Sequence, residues 1–270
     1  MYLTDLHTHT FLSPDGHVPL SDMADAAVRS GLSALIVTDH FDMLDEKGQR
    51  ALTYDWAPSL AQYAETLSLY QDKLDLRLGI ELGEAPISPE HARAIIAGAG
   101  EGLDLVIGSI HNYREELGGL EFYSDHFDSC EKCHIALDDY LTCMEQLVAL
   151  PDCYDVLGHI NYPLRYMRRD GYSINLLDHY RDRVAEILRT VIQTGHSMEL
   201  NTCRGLTVEE WRDILMLYRD LGGTMVTTGS DAHLPQHVGG GLKEAYALLL
   251  ECGFSHLTVY KRRQAVLIKL

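Results

Sequence analysis

Tyr2-Leu3-Thr4-Asp5-Leu6-His7-Thr8-His9 begins as a short apolar run and ends in two histidines one residue apart. Read as a strand, it places side chains i and i+2 on the same face, so His7 and His9 can grip one ion. The same grammar recurs along the chain. Ala34–Thr38 leads to Asp39-His40, Leu76–Ile80 to Glu81, Leu105–Ile110 to His111, Asp155–Gly158 to His159, and Met225–Gly229 to Asp231-Ala232-His233. A further run, Ser197–Leu200, ends at Asn201, and His17 lies in the loop after the first run.

Helix-like stretches separate these runs. Asp22–Ser30 follows a candidate cap, Ser21, and stops at Gly31; Pro89–Ala97 starts with proline at a first helical position. Ser59–Lys73, Asp138–Leu150, Leu176–Thr194, Val208–Leu221 and Leu242–Cys252 complete the set. Strands alternating with helices imply parallel strands and right-handed crossovers. Seven such units without a linker predict an α/β fold: one closed or nearly closed TIM-like barrel, a single domain over residues 1–270. In such a barrel the C-terminal strand ends share one face, where active sites are built. The histidines and carboxylates are therefore expected to converge there. Tyr113–Cys133 reads as a polar loop covering that face. Leu257–Tyr260 and Gln264–Leu270 around Lys261-Arg262-Arg263 read as a hairpin.

A lone histidine is usually a hydrogen-bonded core or surface residue. That account fails for six strands that each end in a ligand-type residue. Of the 14 histidines, His91, His134, His179, His196 and His256 sit inside or beside helix or strand patterns and read as bystanders. His126 and His237 lie in loops and are left out of the set. Imidazole with carboxylate suits zinc, iron or manganese better than magnesium or calcium.

The formal net charge of −18 argues against non-specific binding to nucleic acid, which relies on Lys and Arg neutralising phosphates. It leaves room for an anionic substrate, because bound cations reverse the local field. No stretch approaches the roughly 20 apolar residues needed to span a bilayer, so no membrane partner is expected. Met1–Thr10 has no basic segment followed by an apolar run, so no signal peptide is expected and the default location is cytoplasmic. Six cysteines in that compartment are expected as thiols. Cys130-Glu131-Lys132-Cys133-His134 matches the haem-attachment pattern and half a zinc site, and is read as a chance occurrence in a loop.

The ordered set Asp5-Leu6-His7-Thr8-His9-Thr10, Thr38-Asp39-His40, Gly79-Ile80-Glu81, Gly108-Ser109-Ile110-His111, Gly158-His159 and Gly229-Ser230-Asp231-Ala232-His233 resembles the PHP superfamily, named for polymerase and histidinol phosphatase. Glu199-Leu200-Asn201-Thr202, Gly158-His159-Ile160 and the Val238–Gly253 segment before Phe254 look most like its histidinol-phosphatase branch. The resemblance implies a distorted (β/α)7 barrel and two or three divalent ions. His7, His9, Glu81 and Asp231 would hold the first. Glu81 would bridge to the second, with His111 and His159. His17, His40 and His233 would hold the third, with Asp15 as the alternative to His17.

The implied reaction is hydrolysis of a small-molecule phosphate monoester, L-histidinol phosphate first and a nucleotide or sugar phosphate second. A nuclease is disfavoured by the charge. An ion pair roughly 3.5–4 Å apart would share a hydroxide that attacks phosphorus in line. Arg165, six residues past His159, is chosen to grip the phosphoryl group, with Arg168, Arg169 and Arg204 as alternatives. Asp39 is expected to orient His40 or to assist protonation of the leaving alkoxide. Asn201 is a candidate for binding substrate.

Overall fold

The computed structural model describes residues 2–270. Its order is β1 (Thr4–Asp5), α1 (Leu20–Arg29), β2 (Ala34–Val37), β3 (His40–Asp42), α2 (Trp56–Tyr70), β4 (Asp75–Gly83), α3 (Pro89–Gly98), β5 (Leu105–Ser109), α4 (Cys130–Val148), β6 (Val156–Leu157), α5 (Pro163–Arg169), α6 (Leu176–Thr194), β7 (Ser197–Asn201), α7 (Arg212–Asp220), β8 (Val226–Gly229), α8 (Leu242–Glu251), β9 (His256–Lys261) and β10 (Gln264–Lys269). Every apolar run named above therefore contains a strand.

The barrel order is β1-β2-β4-β5-β6-β7-β8, all parallel. The ring closes between its first and last strands. Leu6 N–H donates to Thr228 O at 3.1 Å, Asp231 N–H to His7 O at 2.9 Å and His9 N–H to Ala232 O at 2.9 Å. The distorted seven-stranded TIM-like barrel is thus as expected. Strand interiors such as Ala34–Val37 and Leu105–Ser109 are buried along their whole length, as parallel strands covered by helices must be.

β3 was not foreseen as a strand. It resumes the line of β2 after a break at Thr38-Asp39 and pairs with the far end of β4, His40 opposite Glu81. That register brings two expected ligands side by side. α5 was also missed: Asn161–Tyr166, read as loop, turns into a short helix with Pro163 at its start. α4 begins earlier than expected, so Cys130 and Cys133 lie in its first turn, capped by Ser129 Oγ accepting from Lys132 N at 3.2 Å. This corrects the loop reading of that segment. All six cysteines are free, and among the described residues no group of potential ligands contains one.

The hairpin β9–β10 forms as read, with Arg262 and Arg263 both left-handed (φ 49° and 59°) in a two-residue turn. It caps the face opposite the expected site: Arg262 N–H donates to Asp104 and the Arg263 guanidinium to Asp155, at the starts of β5 and β6. No helix among the described residues is long and apolar enough to cross a membrane.

Candidate metal centre

Glu81 is the centre of the arrangement. It sits near the end of β4, fully buried, and its two oxygens face different partners. Oε2 lies 3.0 Å from His7 Nε2, 3.1 Å from His40 Nδ1 and 3.5 Å from His9 Nε2. Oε1 lies 3.0 Å from His159 Nε2 and 3.2 Å from His111 Nε2, and accepts from Ser109 Oγ at 2.6 Å. A buried carboxylate unpaired with cations would be costly. Here burial opposes the charge, but His7, His40 and His111 hold the Glu81 carboxyl well below its ordinary range.

Asp231 completes one side. Its backbone is left-handed (φ 58°), pinned by the Asp231 N–H on His7 O. Aspartate tolerates that conformation better than most residues. Its Oδ1 faces His9 Nε2 at 3.4 Å and His7 Nε2 at 3.8 Å, while Oδ2 accepts from Arg165 Nη1 at 2.8 Å. The two carboxylate oxygens therefore serve different sides. Burial would raise the Asp231 carboxyl, but His7 and Arg165 hold it well below the usual range.

The third group is His9, His40 and His233. The His9 ring stacks on His233 with centroids 4.1 Å apart and on His40 at 4.2 Å. The three rings thus crowd one small buried volume. Burial, then His233 and His40, push the His9 imidazolium well below its ordinary range. His17 does not join them. It is exposed, and no group of potential ligands among the described residues contains it. Gly16 N–H donates to Ser13 O at 3.0 Å, and this turn points Asp15 inward: Asp15 Oδ2 lies 2.9 Å from His233 Nε2 and Oδ1 3.8 Å from His40 Nε2. The structure therefore places Asp15, the alternative named for this position, nearer the group than His17.

The residues fit metal ions. His9 Nε2, His40 Nδ1 and His233 Nε2 are buried without any hydrogen-bond partner, although each has a carboxylate oxygen within 3.5 Å. Close but misaligned nitrogen and oxygen atoms are what ligands around a shared ion look like, and hydrogen-bonded pairs are not. Histidine nitrogens with carboxylates are the donor set of zinc, iron or manganese.

Other expected residues are placed differently. Asp39 is buried and accepts from Thr10 N at 2.6 Å, Thr10 Oγ1 at 2.9 Å and Ser13 Oγ at 2.8 Å. Both of its oxygens are engaged by these bonds. It holds the loop after β1, and Ser13 in turn contacts His9 Nδ1 at 3.1 Å and accepts from His40 N at 3.0 Å. Arg165 projects from α5 over the Tyr162 ring, 5.0 Å from its centroid. Its alternatives point elsewhere: Arg168 pairs with Glu210, Arg169 with Asp170, and Arg204 is exposed. Asn201 is fully buried, and its Oδ1 accepts from Arg165 Nη2 at 2.9 Å and Cys203 N at 2.9 Å. Its Oδ1 is thus engaged by protein groups. Of the histidines set aside, His91, His134, His196 and His256 bond local partners away from the centre.

Two carboxylates were missed as parts of the site. Asp42 Oδ1 contacts His111 Nδ1 at 3.0 Å, and Glu199 Oε1 contacts His7 Nδ1 at 2.6 Å. The signal for Glu199 was available: a carboxylate two residues before Asn201, inside an apolar strand, shares its inward face. Asp42 had no such signal, because β3 itself was not expected. Beside Asp42, burial first and then that neighbour push the Glu84 carboxyl up to about 8.

The PHP domain family matches residues 5–203. A protein of Thermotoga maritima called "Probable histidinol-phosphatase" is 29% identical over 99% of this chain and 100% of its own length. The "Histidinol-phosphatase" of Lactococcus lactis is 25% identical over 95% of this chain and 93% of its own. A crystal structure of histidinol phosphate phosphatase from Lactococcus lactis, complexed with zinc, L-histidinol and phosphate, has a TM-score of 0.81 at 23% identity, covering 98% of this chain and 99% of that one.

Proposed function

The chain belongs to the PHP domain family, and from that premise we propose that it hydrolyses L-histidinol phosphate to L-histidinol and phosphate at a cluster of divalent ions. The observation that carries the reading is the convergence on Glu81: one buried carboxylate within 3.5 Å of five imidazoles from four strand ends. The whole-length relatives named histidinol-phosphatase support the substrate, and the Lactococcus lactis protein with zinc, L-histidinol and phosphate supports both substrate and cofactor. The reaction belongs to histidine biosynthesis in the cytoplasm, with a small phosphate ester as partner and no nucleic acid; the charge of −18 supports the latter.

His7, His9, Glu81 and Asp231 would hold one ion, Glu81, His111 and His159 a second, and His9 or Asp15 with His40 and His233 a third. Bound ions of this kind polarise phosphoryl oxygens and lower the pKa of water, which supplies a nucleophile at neutral pH. Arg165 lies beside this cluster with its guanidinium oriented by Asp231 and Asn201, and a pre-set fork of that kind binds phosphoryl oxygens in a bidentate way. Tyr162, stacked on His159 with centroids 4.7 Å apart, and Tyr166 wall the same side and narrow the access of water.

The reading is tested by comparing kcat/KM for L-histidinol phosphate, an aryl phosphate, a nucleotide and a sugar phosphate with metal-loaded protein. Histidinol phosphate should lead the panel. Equal turnover of all four would remove the histidine-pathway assignment and leave a general phosphoesterase.

A further inference from the structure

We propose that β7, the one barrel strand that sends no side chain to the ions, sets the position of its neighbours' ligands through Glu199 and Asn201. The inference rests on reading the cluster as a metal centre. Alternate residues of a strand share a face, so Ser197, Glu199 and Asn201 all point into the barrel. All three are polar and buried, Glu199 to 1% and Asn201 to 0% exposure, and a buried carboxylate requires partners. Among their partners are proposed ligands and the backbone of one.

Glu199 joins two strands. Its Oε1 lies 2.6 Å from His7 Nδ1, at the end of β1, and its Oε2 accepts from His159 N–H at 3.0 Å, just past β6. A carboxylate acceptor at Nδ1 fixes the imidazole tautomer with its Nε2 lone pair free, and His7 Nε2 is the atom facing Glu81 and Asp231. Asn201 joins the other side. Its Nδ2 is 3.3 Å from Asp231 Oδ2 and its Oδ1 accepts from Arg165, so one amide fixes a ligand and the guanidinium beside it. Trp211 Nε1 donates to Asn201 O at 2.7 Å and anchors this residue from behind. Glu199 lies in none of the ligand groups among the described residues. Both are positioning residues.

Glutamine at 199 keeps the shape but offers one acceptor where two donors wait. Glu199→Gln should therefore fold, yet bind zinc about 10- to 100-fold more weakly in competition with a chelating dye, the range for losing a partner of a ligating histidine. Saturating zinc should restore most of kcat, because every ligand remains. Asn201→Ala should also weaken zinc binding, with only partial recovery of kcat at saturating zinc because Arg165 loses a partner as well, and its zinc affinity carries the test if Glu199→Gln does not fold. Leu200→Ala is the control: Leu200 is fully buried on the opposite face of the same strand, so its loss should lower Tm and leave zinc affinity unchanged. Unchanged affinity in Glu199→Gln and Asn201→Ala, or an equal loss in Leu200→Ala, would overturn the proposal. A wild-type chain that binds less than one zinc would instead overturn the metal centre itself.

Discussion

Asp15 Oδ2 lies 2.9 Å from His233 Nε2, although Asp15 stands in a loop and nearly two-thirds of its side chain is exposed. His17, two residues on, faces solvent. Asp15→Ala should lower metal content by about one ion per chain and cut kcat by roughly 10- to 100-fold, as for other groups on which a metal site depends. His17→Ala should leave both within about twofold of wild type, as expected for a surface change. Elemental analysis and kcat on the same preparations separate the two, and a larger effect at His17 would reverse the assignment.

Arg165 touches both a ligand and the space beside the cluster. Removing it should weaken phosphoryl binding and release Asp231 Oδ2. Arg165→Ala should then lower kcat/KM by roughly 10²–10³. The loss should be alike for L-histidinol phosphate and an aryl phosphate, because the phosphoryl group is common to both. A loss confined to histidinol phosphate would mean that Arg165 reads the organic part.

The histidines predict how pH acts on metal loading. Burial would lower the His7 imidazolium, but Glu199, Glu81 and Asp231 together raise it well above its ordinary value; Asp42 and Glu81 do the same for His111. In the metal-free protein both rings therefore keep a proton as pH rises past the ordinary histidine range. Ligation requires the neutral ring, so loading must expel those protons. Zinc affinity should fall as pH drops from about 8 to about 6, with about one to two protons released per chain at neutral pH. Calorimetry in buffers of different ionisation enthalpy measures the release, and a pH-independent affinity would contradict the expectation.

The barrel was legible because its strands are continuous apolar runs, and the ligands because each stands just past such a run. What stayed hidden depends on where the backbone turns. The break at Thr38-Asp39 reorients the chain into β3, and that alone brings Asp42 under His111. The Ser13–Gly16 turn brings Asp15 rather than His17 beside His233, and no spacing rule reads a turn that packs on Thr10. Asn201 has the residue type of a substrate contact; its burial and its bonds to Arg165, Asp231 and Trp211 are not legible from that type. Cys130 and Cys133 read as loop because α4 starts with polar residues, before its apolar stripe sets in.

Gly229 tests the closeness of β8 to β1. A Cβ there would stand 2.3 Å from His7 Cβ and 2.8 Å from Glu199 Oε1, both held on fixed strands. Gly229→Ala should therefore cost about 1–3 kcal/mol of stability from overpacking. It should also weaken zinc binding, because the clash is with a ligand and its support. Thermal denaturation and zinc titration of the same variant check both effects; a neutral substitution would show that the strand ends can part freely.

The most direct test of the account is turnover of L-histidinol phosphate by one preparation through a cycle of chelation and reloading, with Glu81→Gln run in parallel. Wild-type protein should release phosphate when loaded with zinc or manganese, lose at least about tenfold in kcat when stripped, which is ~1.4 kcal/mol of barrier, and recover on reloading. Glu81→Gln should fold and stay inactive throughout, because the carboxylate that serves both sides of the cluster loses its charge and one of its two oxygens. Hydrolysis that survives chelation, or a Glu81→Gln variant that keeps more than about a tenth of wild-type kcat, would contradict a reaction carried out at this centre.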